Sequence, residues 1–408
     1  MKMEENRKNN KGLFAAGIFV GMAIIIAISF TAVNITTLIS QYVPGKTGEA
    51  SVSDDSKVGR KIKSIEKLID KYYVDPRDTK AEEEGIYKGI IDSLGDRYST
   101  YYTAEEMEKT MEDNAGEYGG IGCYIAYDIN AGNSYVAGII PGYAADKAGL
   151  QEGDIFYKVD GEEVIECNSE EVSGKVRGLA GTTVNIIMLR DGKELEFTLI
   201  RSLVEVKSVS ANIADEKEKI GYIQISSFDL ATKDQFHDAM DELEAEGVNA
   251  LIIDLRDNPG GDVDVATDMA SRLLPKGLII YTEDKNGNRD EYMGDGEKEF
   301  KKPMVILVNG NSASAAEIFS GALKDYGKAT LVGEKTYGKG VVQVVVPMAD
   351  GSAVKLTTAK YYLPNGECIH GEGIEPDVKV ELDVDAYRSD GKDNQKEEAL
   401  KILKEKLK

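Results

Sequence analysis

The stretch 305–323 limits the fold more tightly than any other part of the chain. Residues 305–308 are apolar and β-branched but for one leucine, 309–314 are polar and small, and 315–323 repeat apolar positions at helical spacing. Such a run reads as strand, tight turn, helix. It sets a serine hydroxyl at a helix mouth, where free N–H groups and the positive dipole end favour developing negative charge. An ordinary structural reading fits the same residues, because Ser314 and Glu317 match the Ser-x-x-Glu capping box of a helix start.

A second stretch lies downstream. Lys339 stands between Gly338 and Gly340, in a turn separating the apolar runs 329–332 and 341–346. By itself this describes an exposed lysine at a hairpin tip. Taken together, the two stretches resemble the signature of the carboxy-terminal processing peptidases, or tail-specific proteases. The resemblance implies a nucleophilic serine 25 positions before a catalytic lysine, which from Lys339 selects Ser314 over Ser312. A supporting glutamine four positions beyond the lysine falls on Gln343.

A serine hydroxyl needs a base. The chain has two histidines, His237 and His370, and neither stands in a recognisable hydrolase motif. Lysine replaces histidine only when neutral, and at a reference pKa near 10.4 almost none is neutral at pH 7, so the site must depress it by burial. Gln343 orients the amine only if the segment turns helically, since residues four apart on a strand are separated by about 13 Å. The amide of Ala315, next to the serine, is one oxyanion donor. The run 254–261 matches a second motif of the resembled family, in which a glycine amide completes the oxyanion hole, here Gly260 or Gly261.

Strand and helix patterns alternate from Ile220 through Leu274, which argues an α/β core. The resemblance makes that core crotonase-like or Clp-like and layered. The expected whole is an α/β (α+β) multidomain chain: cytoplasmic amino terminus 1–12, transmembrane anchor 13–33, linker 34–56, helical domain 57–115, inserted PDZ domain 116–203, protease core 204–383 and helical tail 384–408. The anchor rests on about 21 uncharged residues, 13–33, enough to cross a bilayer. Lys2, Arg7, Lys8 and Lys11 precede it, which keeps the amino terminus cytoplasmic. A cleaved signal peptide is the rival, but no clean Ala-x-Ala follows the run. Residues 96–101 approximate the family's Asp-Pro-x-Ser-x-Tyr landmark, with Arg97 in place of proline, and 371–377 resemble its closing landmark. The tail 392–408 reads as a solvated helix.

The PDZ reading rests on 141–155 and on Gly119, Gly120, Ile121 and Gly122, a glycine loop before a strand. Consecutive loop amides can receive a terminal carboxylate while the strand edge pairs with an extended peptide.

A net charge of −23 excludes a nucleic-acid partner, which needs a basic patch. Residues 333–339 imitate a phosphate loop, but Gly340 stands where Ser or Thr should hold magnesium. Residues 284–290 imitate a calcium loop, yet Arg289 and Asp295 occupy the positions of its glycine and glutamate, and a hairpin turn at Asn286–Gly287 accounts for them. No cofactor or metal is implied. The expected function is membrane-anchored, extracytoplasmic serine endopeptidase, with Ser314, Lys339 and Gln343 at the reaction and Ala315, Gly260 and Gly261 at the oxyanion. Its expected partners are protein substrates with apolar carboxy termini, the membrane and, by the resemblance, a second copy through the helical region. A non-catalytic PDZ scaffold and a histidine-dependent hydrolase are the alternatives.

Overall fold

The computed structural model describes residues 56–408. The expected anchor 13–33 lies outside them. Among the described residues no helix is long and apolar enough to cross a membrane. The chain divides into two compact units at Thr79/Lys80. In the first, the helix Lys57–Tyr72 starts at Ser56, whose hydroxyl accepts the Gly59 amide at 2.9 Å.

The second unit begins one residue into the helix Thr79–Asp92, which a loop and a short strand, Thr100–Tyr102, follow. That strand was not expected, and it pairs with Ala353–Tyr362, far downstream. Residues 100–102 are therefore tied by strand pairing to a sheet formed by residues more than 170 positions downstream.

The PDZ segment is a true insertion. Its entering strand Glu117–Gly120 and leaving strand Ser202–Glu205 pair antiparallel, so the excursion between them closes on itself. Between them six strands form one sheet, with helices Ala144–Ala148 and Ser169–Val176 packed beside it. The core includes Phe156, Val172, Val184 and Met188, all fully buried.

The expected core region, 204–383, is built on a six-stranded sheet in the order Val209–Asp215, Ile220–Ile225, Ala250–Asp254, Met304–Val308, Ala329–Gly333, Val378–Lys379. Every pair is parallel except the first. Ala250–Asp254 and Met304–Val308 are buried at every position, as parallel strands covered on both faces must be. Helices Leu230–Ala245, Val263–Ser271 and Ala315–Asp325 cover one face.

The other face holds a correction. The tail helix Asn394–Lys406 is docked, with Ala399 and Leu403 fully buried against Ile220, Ile252, Val305 and Leu307. Arg256 fastens it, bridging Asp254 on the core strand to Asp393, the residue that caps the helix, with Nη2–Oδ2 distances of 2.5 and 2.7 Å. The lysines and glutamates of the tail suggested a solvated helix. Its apolar stripe instead completes the layered core.

A second, five-stranded sheet holds the hairpin Gly277–Asp284/Arg289–Gly294, turning at Asn286–Gly287 as expected. Its long strand Ala353–Tyr362 carries Val341–Pro347 along one edge. The three cysteines are unpaired.

Candidate active site

Parallel register brings the two motif loops together. Asp254 stands beside Leu307 at the carboxyl ends of neighbouring strands, so the chains leaving them run side by side. The Ser312 hydroxyl donates to the Leu255 carbonyl at 2.7 Å and the Ala313 amide to the Asn258 carbonyl at 3.0 Å. Ser312 is fully buried and committed to that tie. Ser314, two residues on, is 7% exposed and opens the helix Ala315–Asp325 with φ 54° and ψ −115°. A non-glycine residue held there is strained, and such strain collects at functional sites.

Glu317 is the centre of the arrangement. Its carboxylate is fully buried and accepts four hydrogen bonds, filling the lone-pair sites such a group offers. Oε2 takes the amides of Ser314 and Lys339, each at 2.9 Å. Oε1 takes the Thr336 hydroxyl at 2.5 Å and the Gly338 amide at 2.7 Å. One oxygen thus holds the serine and lysine backbones within about 5.8 Å of each other, nitrogen to nitrogen. The Ser314 hydroxyl stands in capping-box position but makes no cap hydrogen bond, because the Glu317 amide donates to the Ser314 carbonyl at 2.8 Å. The hydroxyl stays available. Sequence reasoning reached Glu317 only as a capping residue. The signal it passed over is a lone charge within the nine-residue run 315–323.

The lysine turn is braced from behind. Ile374 donates its amide to the Thr336 hydroxyl at 2.7 Å, and Gly371 donates to the Gly338 carbonyl at 2.9 Å, so the closing landmark supports the loop. Lys339 is half-buried, its Nζ 5.3 Å from the centre of the Tyr98 ring, and its side chain forms no ion pair among the described residues. Burial first, and then the charge of Lys355, lower its pKa from the ordinary lysine value against the opposing pull of Glu317.

Gln343 makes no hydrogen bond to the lysine. It lies on the strand Val341–Pro347, and its Nε2 donates to the Thr357 hydroxyl at 3.3 Å. The helical turn that would have brought it to Lys339 is absent, for the valines around it pair with Ala353–Tyr362. Thr357 in turn donates its amide to the Ser99 hydroxyl, which donates to Asp96. Gln343 therefore belongs to a network tying the 96–101 landmark to the core.

The two oxyanion glycines separate. Gly260, at φ 101°, lies so close that a Cβ there would stand 2.6 Å from the Ala313 carbonyl and 2.8 Å from both the Ala315 nitrogen and the Ser314 Cβ. Its own amide is taken by Asn258 Oδ1 at 2.8 Å, so Gly260 provides proximity rather than a donor. Gly261 and Ala315 keep amides that donate to no acceptor among the described residues. The Gly260 carbonyl accepts the Phe228 amide at 2.9 Å, so across that trans peptide the Gly261 N–H points away from Phe228.

Neither histidine hydrogen-bonds a serine among the described residues. His237 Nε2 pairs with Asp268 at 2.7 Å, and His370 is exposed with its ring 6.0 Å from that of Tyr98.

In the PDZ segment a groove of about 460 Å³ runs between Cys123–Asp128 and Ser169–Val176. Gly119 and Gly120 belong to the ribbon with Ser202–Glu205, not to a free loop. The amides of Ile121 and Gly122, at the groove's end, donate to no acceptor among the described residues.

Comparison with known proteins agrees with this layout. Residues 219–380 match the model of peptidase family S41, and 135–190 match that of a PDZ domain. The chain is similar to the carboxy-terminal processing protease CtpA of Bacillus subtilis, with 36% identity over 88% of this chain and 78% of that one. It is also similar to a carboxyl-terminal-processing protease of Synechocystis, with 33% identity over 77% and 74%. Among solved structures, a putative S41 protease from Bacteroides fragilis shares the fold at a TM-score of 0.50 and 18% identity, over 82% of this chain and 92% of that one.

Proposed function

The chain belongs to peptidase family S41 as a carboxy-terminal processing serine protease with a PDZ domain, and from that premise we propose that it cleaves peptide bonds with Ser314 as nucleophile and Lys339 as general base. The observation that carries this reading is the single Glu317 oxygen accepting both backbone amides. Ser314 attacks the peptide carbonyl, Lys339 accepts the hydroxyl proton and returns it to the leaving amine, and the Ala315 and Gly261 amides receive the oxyanion. Gln343 acts at a distance, through Thr357 and the landmark that carries Tyr98 to the lysine. The PDZ groove receives the substrate's carboxy terminus on the Ile121 and Gly122 amides.

The pH profile tests the base. Only the neutral amine accepts a proton, so cleavage is expected to rise with pH to a plateau. The lowered Lys339 pKa places that rise below the ordinary lysine range. Lys355→Gln removes a charge that disfavours the ammonium form, so its rising limb should move to higher pH. A limb that stays in place in this variant would remove Lys355 from the account, and a profile without the limb would remove the lysine base. On the same unfolded, apolar-tailed substrate, amidating the terminal carboxylate should lower kcat/KM by about tenfold, the loss of one charge-assisted site. Equal rates would count against capture by the groove.

The uncharged run 13–33 behind four basic residues supports a retained anchor with the catalytic region outside the cytoplasmic membrane. Recovery of the full chain in the soluble fraction, uncleaved, would contradict this.

A further inference from the structure

Next to the lysine is a pocket of about 430 Å³ that the reaction does not use. Arg97, Tyr98, Tyr337 and His370 line it, with the backbone of Gly338 and Gly371. Arg97 stands where the landmark usually has proline. Its guanidinium lies 5.2 Å from the ring centres of both Tyr98 and Tyr337, so the two tyrosines hold it at the pocket.

This arginine has no acidic partner among the described residues, although the chain has 72 Asp and Glu against 49 Lys and Arg. The neighbouring Asp96 carboxylate is occupied by the Ser99 hydroxyl at 2.6 Å and the Tyr98 amide at 3.1 Å. The guanidinium fork is thus free for a carboxylate brought by a ligand. Lys339 Nζ lies 5.3 Å from the Tyr98 ring centre that Arg97 also addresses, so the amine and the guanidinium are at most about 10.5 Å apart. An extended peptide covers that distance in about three residues at roughly 3.4 Å each.

We propose that Arg97 makes this pocket a carboxylate subsite, selecting substrates with an acidic group within about three residues of the cleaved bond. The inference rests on the Ser314–Lys339 reading and adds a specificity to it. Two groups carry the required chemistry, an Asp or Glu side chain and the terminal carboxylate of a short product tail.

The test uses the full chain and a peptide series. Glu replaces Gln at one position at a time on either side of the cleaved bond, and each peptide is made with a free and an amidated terminus. The wild type should favour Glu at one position, or the free terminus, by about five- to tenfold in kcat/KM, the low end for a charge-assisted contact at an exposed arginine. Arg97→Gln should abolish the preference for Glu, or cut a free-terminus preference back to the part that the PDZ groove supplies, and Arg97→Glu should transfer the side-chain preference to a Lys-bearing peptide. Dependence confined to one internal position identifies a side chain as the ligand, and dependence confined to the terminus identifies the terminal carboxylate. Ratios equal in wild type and Arg97→Gln at every position and both termini overturn the subsite while leaving the peptidase intact. No cleavage of any peptide by the wild type overturns both.

Discussion

Ser314→Ala and Lys339→Ala are each expected to lower peptide-bond cleavage by about four to six orders of magnitude, the range seen when a nucleophile or its base is removed from a coupled pair. The double variant should be no worse than either single one, because serine and lysine perform one proton transfer between them. Stability should change little. Ser314 has no hydroxyl bond to the helix, and Lys339 has a desolvated amine without an ionic partner among the described residues. Unaltered melting with abolished cleavage therefore separates chemistry from folding. Lysine-free enzyme that still digests an unfolded protein at the parent's rate would end the Ser-Lys reading. In that event His370, exposed beside Tyr98, is the next base to test.

Glu317 predicts the opposite pattern, with stability and activity lost together. Glu317→Ala leaves the Ser314, Gly338 and Lys339 amides and the Thr336 hydroxyl without their acceptor in a fully buried place. Each orphaned donor costs about 1–3 kcal/mol. With relaxation and water entry relieving part of the sum, a net loss of about 3–5 kcal/mol is expected, together with loss of cleavage. Glu317→Gln is the sharper variant. It preserves shape, but its NH₂ must face either the Ser314/Lys339 pair or the Thr336/Gly338 pair, and in both cases donors meet donors. It should melt below the wild type and cleave at least tenfold more slowly. A Glu317→Gln protein matching the wild type in melting and rate would show that the carboxylate does not organise the pair.

The contrast between Gln343 and Glu317 shows why one part of this site was legible and another was not. The family resemblance points to Gln343, four positions beyond the lysine, and that spacing alone does not choose between a helical turn and a strand. The pairing of Val341–Pro347 with Ala353–Tyr362 decided it and turned the amide to Thr357. Glu317 reaches residues 19 to 22 positions away. No local periodicity reports such a contact. The tail misled for a related reason. The expectation of a solvated helix leaves out its apolar stripe, whose partner only the assembled sheet supplies.

By itself the sequence determined what depends on neighbours along the chain: the strand, turn and helix around Ser314, the hairpin at Asn286–Gly287, and the alternating α/β core. Tertiary structure decided which distant groups share an atom. It placed one carboxylate on both serine and lysine amides, used the Gly260 amide internally while giving that of Gly261 no acceptor among the described residues, and closed the second face of the sheet with the tail. The reason is physical. Backbone conformation follows from local sterics and periodic burial, but a buried hydrogen-bonding group takes whichever partner the packed chain brings within about 3 Å, and that partner is fixed only when the layers close.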